Sequence, residues 1–253
     1  METLSPLGVR VTDIDVDALS TADTDRCRQL LGEHGVIVFP DQDANDQSFL
    51  RFLKSFGELA FTVGETPVPT SPELNVITNV GRTTAPRSNF HVDTSYVSNP
   101  PPYTALRAVT VPEQGGQTLF SNQYTAYDTL PEPLRTRLAG RSITHVVTGL
   151  DLGPDDETSA EHPIFAVHPL TGRTSLYMST PARSESISGM SAAETEDVVA
   201  QLYAHSTAED NVYRHQWKPR DVVMWDNRCV MHRADHDGVI GDRVMHRGMV
   251  AGA

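Results

Sequence analysis

Apolar residues along this 253-residue chain fall into two regimes. Near the N-terminus they recur at helical spacing. DTDRCRQLLGEHG predicts a short helix ending at Gly35, and GVIVF after it reads as a buried strand. NDQSFLRFLKSFGEL puts Phe49, Leu50, Phe52, Leu53 and Phe56 on one helical face, with Gly57 as terminator. ELNVIT follows as a strand.

From Tyr103 onward the pattern is one of short strands: YTALRAV, QTLFS, SITHVV, TSLYM, NVYRHQW, DVVMW and RVMHRGMV, separated by Gly, Pro and Asp turns. Two helical segments interrupt them, YTAYDTLPEPLRTRLAG and SAAETEDVVAQLYAHS. Together these predict an α+β, mainly β chain, a jelly-roll core with helices packed outside, as one domain over 1–253. Two irregular stretches, from Val63 to Pro72 and NVGRTTAPRSN, read as loops beside a site, and a lid or insert is expected around 149–190.

Composition changes the picture in three ways. At 38% hydrophobic, the chain can build a sizeable core. A formal net charge of -13 argues against nucleic acid or an anionic membrane as main partner, but not against a small anionic ligand in a locally basic pocket. Cys27 and Cys229 lie too far apart for a metal-binding or redox pair and read as reduced thiols. With no signal-like start and no long apolar run, the expected location is cytoplasmic.

The chemistry starts at SNFHVDTSY, where His91 and Asp93 stand two apart. On a strand, residues i and i+2 share a face, so both side chains can converge on one ion while Val92 points into the core. Alone, the pair reads more readily as a solvent-facing polar strand. A distant histidine, His232 in VVMWDNRCVMHRADHD, completes a set of two imidazoles and one carboxylate. That set suits non-haem Fe(II), leaving room for a bidentate co-substrate and O2. Downstream, Arg243 and Arg247 are four apart in an apolar run, hence on one face. Two guanidinium groups on a core strand are costly unless anions meet them. Thr118, beyond a glycine pair, can donate to the same anion.

These segments resemble the TauD/TfdA family of Fe(II)- and 2-oxoglutarate-dependent dioxygenases. SPLGVRVTDIDVD, EHGVIVFPDQ, FLKSFGEL, FHVDTSY, GGQTLFSN, HPLTGRTSLYM and WDNRCVMHRADHD occur in the family's order, ending with Arg243 and Arg247. The resemblance implies a double-stranded β-helix, iron held by His91, Asp93 and His232, and the distal carboxylate of 2-oxoglutarate held by Thr118 and Arg243. It implies that Arg247 contacts an acidic group of the substrate. Oxidation of a C–H bond follows, with release of succinate and CO2; hydroxylation is the default, and desaturation or cyclisation uses the same oxidant. Asp93 argues against halogenation, since related halogenases lack that carboxylate. Members are often dimers or tetramers, which leaves a homo-oligomer open.

Two positions depart from the taurine-hydroxylating members. Thr62 stands where they carry a histidine that helps hold the sulfonate, and Arg87 where they carry an asparagine. Taurine is therefore a doubtful substrate; Arg87 either holds a second acidic group or faces solvent. Phe90, Tyr96 and Phe165 read as core rather than pocket wall, His236 and Asp237 as surface or turn groups, and Cys229 as packing. His162 and His168 flank the expected lid and are candidates to touch substrate. Trp225 to Arg228 read as a turn that aims His232. Two rival classes stand beside the enzyme reading: a non-catalytic iron or 2-oxoglutarate sensor, and a zinc hydrolase using the same three ligands.

Overall fold

The computed structural model describes residues 1–62, 64–82 and 88–252. Eight strands form its centre: β1 (Val36–Phe39), β2 (Ser71–Thr78), β3 (Tyr103–Thr110), β4 (Thr118–Asn122), β5 (Val212–His215), β6 (Val222–Asp226), β7 (Val230–Ala234) and β8 (Val244–Val250). The larger sheet runs β1-β6-β3-β8-β2 and the smaller β5-β4-β7. Short strands extend the larger sheet: Glu2–Thr3 and Val9–Arg10 beyond β1, and Pro67–Val68 beyond β2. Strands remote in sequence become neighbours, with Trp225 and Met249 both in register with Thr104. In the smaller sheet His232 faces Phe120 and Ala234 faces Thr118. This is the expected jelly roll.

Strand periodicity sorts the core. From β1 and β6, Val36, Val38, Val223 and Trp225 join Phe120 and Met245 in one cluster. The alternate residues Ile37, Phe39, Val222 and Met224 pack in a second cluster with Phe49, Phe52 and Leu53. These three residues sit on one helix, Asp46–Lys54, and each buried side chain contributes on the order of 2 kcal/mol. α1 (Thr21–His34) begins with a capping box from Ser20 and Asp23 and ends at Gly35, whose φ of 75° suits glycine. A Cβ there would lie 2.7 Å from Val230 Cγ2.

α2 (Asp46–Lys54) stops at a Ser55 cap, earlier than the expected Gly57. Phe56 is buried just past the helix end rather than on it. The helical segment after β4 is two helices, α3 (Gln123–Asp128) and α4 (Glu132–Leu138), because Pro131 cannot continue the first. α5 (Ala192–Ser206) has its own Ser191–Glu194 capping box. Within 149–190, Ser159–Pro163 and Ser184–Ile187 flank Ser142–Val146 in a three-stranded sheet, and Phe165–Val167 pairs with Thr174–Leu176. The stretch from Val63 to Pro72, expected as pure loop, includes the short strand Pro67–Val68. Among the described residues no helix is long and apolar enough to cross a membrane.

Candidate active site

β7 positions the centre of the site. His232 pairs with His91 through a single antiparallel bridge: His91 N–H donates to the His232 carbonyl (3.0 Å) and His232 N–H to the His91 carbonyl (2.9 Å). The two rings come to 4.4 Å between centroids. Asp93 is not on a strand, contrary to the sequence expectation. The chain turns directly after the bridge, with Thr94 in the left-handed region at φ 49°, and this turn swings the carboxylate toward the imidazoles. His91 Nε2 lies 3.6 Å from Asp93 Oδ1 and His232 Nε2 3.7 Å from Asp93 Oδ2. Ligand atoms of all three lie within 4.8 Å of one another, a spacing that one ion can bridge. Val92 faces the core.

Outer contacts fix the donors. His91 Nδ1–H donates to the Asn89 carbonyl (2.7 Å), which presents Nε2 inward. The Thr104 hydroxyl donates to Asp93 Oδ2 (2.8 Å) and accepts from Asn227 Nδ2 (2.8 Å). Asn227 is held by the Trp225 indole N–H (3.0 Å) and donates to the Pro101 carbonyl (3.0 Å). The turn after β6 thus braces Asp93 through Thr104. Burial depresses the His232 imidazole to about 3, against the pull of Asp93, so it is neutral with its lone pair available at pH 7. Burial alone would raise Asp93; its interactions with the His232 and His91 rings and with the Arg247 guanidinium outweigh that and hold the carboxyl well below the usual carboxylate range.

Beside the triad lies a cradle for an anion. Arg243 is 1% exposed and pairs with no carboxylate among the described residues. Its Nε donates to the Gly116 carbonyl (2.8 Å) and its Nη2 to Thr118 Oγ1 (3.2 Å), while Nη1 has no partner among the described residues. Burial without a counter-ion lowers the guanidinium from its ordinary value to about 10. Trp217 Nε1–H also donates to Thr118 Oγ1 (3.0 Å). With both hydroxyl lone pairs engaged, Thr118 has its proton left to give, which suits a carboxylate. The glycine pair makes the space: at Gly116, φ 69°, a Cβ would lie 2.9 Å from Arg243 Cδ.

A cavity of about 320 Å³ joins these groups, lined by His91, His232, Thr118, Arg243, Arg247 and Trp225 among others. Arg247, on β8, reaches Glu65 (3.1 Å) and Asp93 (3.5 Å). Sequence reasoning missed Glu65, Arg82 and Ser88, which line this cavity. His236, half-buried beside the turn at Asp237, also lines it but is not among the clustered metal-ligating groups. A smaller cavity of about 280 Å³ on the far side of His91 is lined by Ser88, Thr148, Thr180 and Arg183.

Other expectations resolve as follows. Thr62 is not among the residues lining the cavity; its Oγ1 sits 4.0 Å from Met249 Sδ, and Gly64, Glu65 and Thr66 form that wall. Arg87 and Val63 lie outside the described residues. His162 and His168 face a separate cavity of about 330 Å³. His162 Nε2–H donates to the Ser95 carbonyl (2.8 Å), and His168 Nε2 contacts Asp226 Oδ2 (3.0 Å). Phe90 is core, with Phe165 packed against the same cluster, and Tyr96 and Cys229 are buried.

The sequence model of the Taurine catabolism dioxygenase TauD, TfdA family matches residues 2–249. An alpha-ketoglutarate-dependent 2,4-dichlorophenoxyacetate dioxygenase of Cupriavidus pinatubonensis is 32% identical, covering 94% of this chain and 92% of that protein. Two longer relatives, from Schizosaccharomyces pombe and Saccharomyces cerevisiae, are 30% and 28% identical over 91% and 90% of this chain, which spans 63% and 60% of their length. The latter is named an alpha-ketoglutarate-dependent sulfonate dioxygenase. The crystal structure of a taurine dioxygenase from Burkholderia xenovorans superposes with a TM-score of 0.86 at 30% identity, covering 100% of this chain and 90% of that one.

Proposed function

The chain belongs to the TauD/TfdA family and is an Fe(II)- and 2-oxoglutarate-dependent dioxygenase; from that premise we propose that it oxidises a C–H bond of a small anionic organic molecule, by hydroxylation in the default case. Desaturation or ring closure is set by where the target C–H lies. We read the chain as one dioxygenase domain working in the cytoplasm.

The observation that carries this reading is the buried Arg243 fork with an unpartnered Nη1, open to the same cavity as His91 and His232. The donor set fits iron: one ionised carboxylate and a neutral buried imidazole on one side of a cavity. His91, Asp93 and His232 would hold the metal, and Arg243 with Thr118 the distal carboxylate of the co-substrate. When bound, iron, 2-oxoglutarate and O2 together supply the oxidising power, with succinate and CO2 as co-products. The chain supplies position. Thr104 and Asn227 keep Asp93 aimed, and the Asn89 carbonyl fixes the His91 tautomer. Val76, Ile77, Leu106 and Trp225 wall the cavity and displace water from it. Arg247 is assigned to the substrate's acidic group. In place of Thr62, Glu65 of that loop meets Arg247 (3.1 Å).

The test is succinate release with Fe(II), ascorbate, 2-oxoglutarate and a panel of small acids, and its block by N-oxalylglycine. Arg243→Ala should raise the 2-oxoglutarate requirement, and Arg247→Ala should chiefly weaken the substrate. Loss of a charge-assisted bidentate contact costs on the order of 2–4 kcal/mol. The reverse pattern overturns the two assignments, and absence of substrate-stimulated succinate across the panel overturns the substrate class.

A further inference from the structure

The turn that braces Asp93 also walls the separate cavity of about 330 Å³. That cavity is mainly apolar: Pro100, Pro101 and Pro102 follow one another along it, joined by Pro163, Ala166 and Val167. Proline carries no backbone N–H, so the run presents ring carbons and no donors. The polar side chains of the wall are already engaged, with one buried exception. His162 Nε2–H is spent on the Ser95 carbonyl, and His168 lies between Asp226 (3.0 Å) and the Leu170 and Thr171 N–H groups (3.3 Å each). Asn227 donates from Nδ2 to the Pro101 carbonyl and Thr104, and from its N–H to the Pro102 carbonyl (2.8 Å). Arg228 directs Nε and Nη2 at Asp226, and Asn99 is exposed to solvent. Tyr177 is the exception. It is 7% exposed, it lines the cavity, and its hydroxyl has no hydrogen-bond partner among the described residues. Burial pushes this phenol up, so it keeps its proton at pH 7 and can donate it.

We propose that this cavity is a second binding site, for a neutral aromatic molecule with one oxygen acceptor, and that its occupant steadies the turn at Asn227. An uncharged ligand suits the wall. Its one arginine, Arg228, already has Asp226 as counter-ion, so nothing there repays the desolvation of an anion. A flat ring packs on the proline faces, and the Tyr177 O–H donates to the oxygen. Contact with Asn227 restrains the side chain that holds Thr104, and through Thr104 the carboxylate of Asp93. The site is thereby linked to the metal centre, and the link is reciprocal.

Calorimetric titration with acetophenone tests this, against 2-phenylpropene, which carries CH2 in place of the carbonyl oxygen. The wild type should bind acetophenone with a Kd below ~1 mM and ~5-fold or more tightly than 2-phenylpropene. Tyr177→Phe gives up no internal hydrogen bond and should bring the two probes to within about twofold of each other. A rise in Tm with Mn(II) and N-oxalylglycine shows that this variant is folded. Arg247→Ala should leave acetophenone binding unchanged, which separates this cavity from the one at the metal centre. Saturating acetophenone should tighten Mn(II) binding to the wild type about fivefold. No binding, equal binding of the two probes, a preference that survives Tyr177→Phe, or binding lost with Arg247→Ala overturns the site. Binding that leaves the Mn(II) affinity unchanged overturns its link to Asp93.

Discussion

Arg243→Met separates what the site costs from what it does. Lowering a guanidinium from its ordinary value to about 10 by burial corresponds to roughly 3 kcal/mol against the charged form at pH 7. Arg243 is 1% exposed, so solvent does not screen this penalty. Hydrogen bonds to the Gly116 carbonyl and Thr118 Oγ1 return part of it, roughly 1–3 kcal/mol. Methionine removes both sides of the balance, so the ligand-free variant should be within about 1 kcal/mol of wild type, or more stable. Truncating an ordinary buried side chain of this size loses roughly 2–5 kcal/mol. The ligand response should change far more. At a hundred times its Kd, N-oxalylglycine with Mn(II) stabilises the wild type by about 2.7 kcal/mol, a Tm rise of roughly 5–10 °C. The variant should show little of that rise. Differential scanning calorimetry with and without the ligand reads both quantities. A ligand-free variant destabilised by more than about 3 kcal/mol that keeps its full ligand shift would refute the argument.

Three further outcomes follow from the geometry. Thr104→Val removes the hydroxyl that braces Asp93 and should weaken Mn(II) binding ~10- to 100-fold with an unchanged fold, read by calorimetric titration. Gly116→Ala, at φ 69° and against Arg243 Cδ, should raise the 2-oxoglutarate KM at least ~10-fold and cost about 1–3 kcal/mol of stability. Asp226 is fully buried between Arg228 (Nε to Oδ1 2.8 Å) and His168 (3.0 Å), so Asp226→Asn should lose on the order of 3 kcal/mol, seen in urea denaturation. Burial would raise Asp226, but His168 and Arg228 hold it below the ordinary carboxylate range. Its contribution is therefore present above pH ~4 and lost only as pH falls through the lower folded value, so the gap between wild type and variant should close in acid.

The sequence made the strands legible because each carries its own period and turn residues. Val223 and Trp225 face one core cluster and Val222 and Met224 the other, as alternation requires. His91, Asp93 and His232 were legible as a donor set, and the cradle at Arg243 from two arginines spaced four apart in an apolar run; Arg243 stands just before that strand, at Val244, rather than on it. The local geometry of Asp93 was not: spacing of two fits a strand, and only the positive φ of Thr94 shows the turn. Pro131 shows a similar limit, since one helical pattern ran across it. Thr104 and Glu65 reach the site through contacts between strands and loops far apart in the chain, and no local pattern announces them; the turn holding Asn227 was legible, but not its bond to Thr104. His162 and His168 stood out as histidines near an expected lid, yet their partners Ser95 and Asp226 lie 67 and 58 positions away.

The central claim is that one ion sits among His91, Asp93 and His232 with an oxo-diacid anchored on Arg243. An anaerobic crystal grown with Mn(II) and 2-oxoglutarate, with the metal located by anomalous scattering, tests it most directly. The peak should lie within coordination distance of His91 Nε2, His232 Nε2 and an Asp93 oxygen, with the distal carboxylate on Arg243 Nη1 and the Thr118 hydroxyl. A metal bound elsewhere, or a carboxylate that leaves Arg243 without a counter-ion, would contradict it.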